Sequence, residues 1–177
     1  MHKRLLFVGG LLSIFLLTGC GGKTTSMPLQ FDGYAMQRYT NNKIYLQSHT
    51  PISTDMHVIY QATQQGTGTA NSLIVAKISI SSGASIEEIV ELNIQQLQQK
   101  LSNYQGTDPK PAKTTCNDIR LTGYYFSFSY DLSEDQQFSA FQYFFSKNNM
   151  LYMISLQSKD SKDISVMPKS IRTIDCK

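Results

Sequence analysis

The chain has 177 residues, with 16 Lys and Arg against 13 Asp and Glu and a formal charge of +3. That length allows one domain with a substantial core and leaves too little for two. So even a charge balance provides no patch for neutralising phosphates, which excludes nucleic acid from the expected partners.

The chain opens on Met1-His2-Lys3-Arg4, followed by an apolar run from Leu5 to Leu16 broken only by Gly9, Gly10 and Ser13. A cationic start and a run of this length match a signal peptide and are short for a membrane-spanning helix. Leu17-Thr18-Gly19-Cys20 then resembles the bacterial lipobox, a leucine and two small residues before a cysteine. In lipoproteins the Cys thiol receives a diacylglyceryl group, the peptidase cuts just before it, and the new amine is usually acylated. The resemblance implies a signal peptide over 1–19 and a lipidated Cys20. Residues 20–30 form a polar tether, and a single globular domain spans 31–177. An uncleaved anchor with an incidental Cys20 is the alternative reading. The expected location is the extracytoplasmic face of a cell membrane. Because Gly21 rather than Asp follows the cysteine, this becomes the outer membrane where the source has two. Loss of Lys3 and Arg4 takes the 16 basic residues to 14 against 13 acidic, so the mature chain is nearly neutral.

Residues 27–42 contain the breakers Pro28 and Gly33 among Phe31, Tyr34 and Tyr39, and read as an irregular stretch with at most a short strand. Short β-prone runs follow at 44–49, limited by Pro51, and at 56–62. The polar stretch 64–72 connects them to Leu73-Ile74-Val75-Ala76-Lys77-Ile78-Ser79-Ile80, the clearest early strand.

Ser85 and Glu88 form a capping-box signature, in which each side chain satisfies a free backbone N–H at the helix start. Ile86, Ile89, Val90, Ile94, Leu97 and Leu101 then recur on one side, opposite Gln95, Gln96, Gln98 and Gln99. This predicts a long amphipathic helix with its apolar stripe on the core; Leu92 falls off the stripe. Asn103 and Gly106 are read as ending it, with Pro109 and Pro111 in the connection.

Ile119 and Leu121 share one parity, whereas Tyr124, Phe126, Phe128 and Tyr130 share the other. A change of parity at Gly123 predicts a bulge or bend there. Residues 138–145 and 150–156 read as strands joined through Asn148-Asn149, since asparagine tolerates positive φ. A final helix is expected from about Asp160, with Pro168 either kinking it or opening a shorter one. The whole predicts an α/β chain of the α+β kind, an antiparallel sheet packed by a long central helix and a C-terminal helix.

With Cys20 taken by lipid, Cys116 and Cys176 remain as an even pair in an extracytoplasmic protein. A bridge between them would contribute roughly 4 kcal/mol by loop entropy; two thiols that never meet are the other reading.

Four segments carry a further resemblance. They are Ile78-Ser79-Ile80 leading to Ser85-Ile86-Glu87-Glu88, Leu121-Thr122-Gly123-Tyr124-Tyr125, Asn149-Met150-Leu151-Tyr152-Met153-Ile154, and Ser170-Ile171. In this order they resemble the PsbP/Mog-type fold of extrinsic photosystem II proteins, Ran-binding Mog proteins and DcrB-like lipoproteins. The resemblance implies a sandwich for docking onto other proteins, with no common reaction and no catalytic residues to transfer. Many members carry a Pro-x-x-Trp-like segment near the start; this chain has Pro51 but no tryptophan.

Three functions are compatible with these features. The first is a non-catalytic binding or assembly lipoprotein with an envelope protein partner, for which Tyr124, Tyr125, Tyr130 and Tyr143 are candidate contacts, the domain's own core being the favoured place for most of them. The second is an enzyme or metal site, for which hydrolase, zincin, P-loop and dinucleotide motifs are all lacking. Only His49 and His57, with Asp55 between them, offer weak metal ligands, and no cofactor is expected. The third is a lipoprotein binding a small apolar molecule or lipid between sheet and helix.

Overall fold

The computed structural model describes residues 25–32, 34–40, 45–47, 57–64, 71–80, 83–116 and 119–176. Two strands, β1 (Thr25–Phe31) and β2 (Tyr34–Thr40), form a hairpin with Phe31 opposite Tyr34. Asp32 takes φ +45 in the connection, as an Asp-Gly hairpin turn requires. The irregular stretch expected here is therefore an ordered hairpin. Pro28 does not prevent it because β1 lies at the edge of its sheet, where a missing N–H breaks no ladder. The strand also begins inside the stretch expected to be tether.

Next come β3 (Tyr45–Gln47), β4 (His57–Gln64) and β5 (Ser72–Ser79), close to the short strands the sequence suggests. Helix α1 (Ile86–Lys100) has the expected reciprocal cap, with Ser85 Oγ accepting from the Glu88 N–H and Glu88 Oε2 accepting from the Ser85 N–H. It stops at Leu101, which is already extended, and the chain passes directly into β6 (Ser102–Gly106) and β7 (Lys110–Cys116). Neither strand shows in the apolar pattern. Both pair to the long strand β8 (Ile119–Ser133) through the backbone, β7 along its first half and β6 along its second.

Strands β9 (Gln136–Lys147) and β10 (Met150–Ser158) complete the sheet, joined by Asn148 and Asn149 at φ +53 and +59. The chain closes with α2 (Ser161–Ser165), α3 (Met167–Ile171) and β11 (Asp175–Cys176). Pro168 sits in the first turn of α3, so two short helices replace one kinked helix. The large sheet runs β3-β4-β5-β10-β9-β8-β6, with β7 also on β8, and β1-β2-β11 form a small second sheet. Every pairing is antiparallel.

The expected bulge at Gly123 is absent: pairing to β7 runs through it without a shift, and pairing to β9 begins at it and continues in register through Asp131. The parity of the apolar residues changes because the covering layers change. Leu121 faces the small sheet and closing helices, whereas Phe126, Phe128 and Tyr130 face α1. Glycine is required for a different reason: a Cβ at Gly123 would collide with the Phe144 carbonyl oxygen of β9.

Candidate functional site

On one face of the large sheet, Phe141, Tyr143, Phe145, Tyr152, Ile154 and Leu156 meet the hairpin's Leu29, Phe31, Tyr34 and Met36 and the closing helices. Alternation along β1 and β2 puts those four apolar residues on one side. Their burial carries the turn between them onto Lys77 of β5 and Tyr152 of β10, which are cross-strand partners. Asp32 lands there. Its Oδ2 accepts from the Tyr152 hydroxyl at 2.8 Å and from Lys77 Nζ at 3.1 Å.

Aromatic rings build the floor. Tyr34 meets Tyr152 and Phe145 edge-on, with centroids 5.2 and 5.3 Å apart, and Phe145 stacks on Tyr152 at 5.0 Å. Lys147 Nζ lies 5.2 Å above the Tyr34 ring, a cation–π distance. His57 is exposed at the start of β4, opposite Lys77. The Tyr34 hydroxyl is buried without a hydrogen-bond partner.

The Tyr152 hydrogen bond, then Lys77, hold the Asp32 carboxyl below its ordinary value, with a smaller contribution from the charge of His57. Burial first, and then Asp32, push the Tyr152 phenol far up. Burial also raises Tyr34, helped by Asp32. At neutral pH Asp32 is therefore a carboxylate held by the Tyr152 phenol and by its ion pair with Lys77. General acid–base work needs a group titrating near the operating pH, and these shifts move Asp32 and Tyr152 away from it. The arrangement fits a clamp on the hairpin tip better than a reaction centre.

Of the residues singled out in the sequence, Cys20 and His49 lie outside the described residues, as does Asp55. Only His57 of the suggested metal pair is therefore in view, and among the described residues no three His, Cys, Asp or Glu gather as a metal site. Cys116 ends β7 and Cys176 lies on β11. While pairing with β2, β11 also runs against β7, so the two backbones approach each other. Tyr130 and Tyr143 are buried core residues and not surface contacts. Tyr124 and Tyr125 are half-buried; the Tyr124 hydroxyl donates to Glu87 of α1, and Tyr125 stacks on Phe141.

A cleft of about 340 Å³ lies between α2 and the sheet, walled by Ser127, Ser129, Ser139, Ser161 and Ser165. No ionisable side chain lines it. Asp32, Lys77 and Tyr152 were not foreseen. The available signal was Asp32-Gly33 flanked by alternating Leu29, Phe31, Tyr34 and Met36, which marks a hairpin.

No family model and no curated protein matches the chain. Among solved structures, it is similar to the solution structure of cyanobacterial PsbP (CyanoP) from Synechocystis sp. PCC 6803. Identity is 11%, 90% of this chain and 96% of that one are covered, and the TM-score is 0.54. A crystal structure of a protein of unknown function from Pseudomonas aeruginosa matches at 8% identity, covering 81% and 90%, with a TM-score of 0.45. At such identities the CyanoP likeness establishes the fold alone. The chain has a PsbP-like, antiparallel α+β fold.

Proposed function

We propose that this PsbP-like domain is the folded part of an envelope lipoprotein, held at a membrane by acyl chains on Cys20 and working by contact with a protein partner. The observation that carries the reading is the register of Lys3-Arg4, the apolar run and Leu17-Thr18-Gly19-Cys20. Two or three acyl chains give stable attachment where one gives marginal binding. With β1 beginning at Thr25, the reach from Cys20 to the first strand is at most about 18 Å fully extended. The domain would thus sit close to the bilayer without entering it. Among the described residues no helix is long and apolar enough to cross a membrane.

The non-catalytic part of the reading is supported by the clamp-like state of Asp32 and Tyr152 and by the uncharged walls of the cleft at α2. A Cys116–Cys176 bridge belongs to the same proposal, as expected of an oxidising compartment.

The test is Cys20→Ser with membrane fractionation and metabolic labelling by an alkyne fatty acid. The native chain should label and sediment with membranes. The variant should lose the label and keep its leader. Equal labelling of both forms would overturn the anchor. Crosslinking in intact cells that repeatedly recovers no protein partner would overturn the contact role.

A further inference from the structure

We propose that a pocket between the C-terminal half of α1 and the large sheet binds a small uncharged molecule with a ring-sized apolar body and one carbonyl-type acceptor. The proposal is independent of the lipid anchor, because it rests on the opposite face from the hairpin.

The pocket exists because α1 is seated most firmly in its first half, while its second half packs more loosely. Val90 is the one fully buried residue of the helix. The Tyr124 hydroxyl bonds to Glu87, and Asn93 Nδ2 donates to Gln142 Oε1 at 2.8 Å. Beyond Asn93, Leu97 of the helix and Leu101 just past its end are both only half-buried although they continue the apolar stripe. Beneath them the sheet changes character. Ala140 replaces the phenylalanines found at 138 and 144 on the same face of β9, and Ser155 and Gln157 replace the Leu151 and Met153 of β10. Small and polar residues there leave a space of about 150 Å³.

Its size and walls define the occupant. A space of about this volume has room for a benzene-sized body. Leu97, Leu101, Phe128 and Ala140 supply the apolar surface. Gln142 also lines the pocket and is 9% exposed, with its oxygen engaged by Asn93. Its amide N–H groups therefore remain to donate, which selects an acceptor on the ligand. The Tyr130 hydroxyl is committed to Gln157 Oε1 at 2.7 Å and holds the far wall in place. No charged side chain lines the pocket, so an ionic ligand would lose its hydration without compensation.

Methyl NMR on the whole protein tests this, in detergent if its anchor requires it, with acetophenone as the ring-plus-carbonyl probe and toluene as the ring alone. The Leu97, Leu101 and Ala140 methyl signals should shift saturably while Leu29 and Leu73, on the other face, stay fixed. Acetophenone, at equal free concentration, should half-saturate at several-fold to about tenfold lower concentration than toluene, as one hydrogen bond allows. Gln142→Leu should remove that preference and retain toluene. If that variant does not fold, the comparison of the two probes on the native chain still decides. Absence of saturable shifts, shifts centred elsewhere, or toluene binding as tightly as acetophenone would overturn the proposal.

Discussion

The two faces of the large sheet are covered in opposite ways. One face lies under the two ends of the described chain, the β1–β2 hairpin together with α2, α3 and β11, and buries ten side chains of the sheet against them. The other lies under a single helix: nine sheet side chains are buried there too, but the helix adds only Val90 to the buried set, against eight residues from the hairpin and closing segments. The first cover closes long loops and must recover their entropy by dense packing. The second comes from contiguous chain and needs less, so it can leave a pocket. The stability of the domain should therefore rest more on the hairpin face, with the α1 cover the looser of the two.

The largest expected effect breaks the dense face. Phe145 is fully buried, stacked on Tyr143 and Tyr152 and edge-on to Tyr34. Phe145→Ala should cost about 3–5 kcal/mol in urea unfolding, the range for a large aromatic removed from a core. A loss below about 1 kcal/mol would mean that the cover is not packed as described.

Next in size is the bolt proposed between that cover and the sheet. If Cys116 and Cys176 are bridged, reduction should lower stability by up to about 4 kcal/mol. Thiol titration of the unfolded, unreduced chain should then find neither cysteine reactive. Two reactive thiols would remove the bridge and leave β11 held by backbone pairing to β2 and its approach to β7.

The same contrast explains which parts were legible beforehand. Helix α1 was readable because its cap and its apolar period are local, and the Asn148-Asn149 hairpin because its turn chemistry is. Strands β6 and β7 were not, since their side chains are mostly exposed and polar and the ladder to β8 holds them. Gly123 was misread because parity reports which face is covered, and here the covered face changes along a straight strand. Of the polar cluster, only the Asp32 turn had a local signature. Lys77 and Tyr152 reach it across 45 and 120 residues of chain, a meeting that only the topology produces.

On the helix face, Val90→Ala should cost about 2 kcal/mol, two methyl-sized groups and some cavity. It should also loosen α1 without unfolding the opposite cover. Hydrogen exchange would show faster exchange confined to 86–100. Faster exchange in β1 and β2 as well would mean that the two faces are one cooperative unit.

The smallest effect probes the clamp at the hairpin tip. Asp32→Asn keeps a residue that tolerates positive φ and removes the charge that Lys77 and Tyr152 hold. Hydrogen bonds to charged groups are worth more than neutral ones, but this carboxylate is 35% exposed and its ion pair is screened, so the loss should be about 1 kcal/mol. The sign with pH follows from the lowered Asp32 pKa. A carboxyl held below its unfolded value stabilises the fold above the ordinary Asp pKa of about 4, and that contribution fades as pH falls through the folded value. The difference between native chain and variant should thus be flat from pH 7 to about 5 and shrink below 4. Tyr152 acts on the alkaline side: its raised pKa leaves its contribution complete below about pH 10 and lost as pH climbs further. Urea midpoints of both proteins across pH would read the two limbs. A difference that grew toward acid would show that Asp32 is strained in the turn and that the hairpin is held by its aromatic face alone.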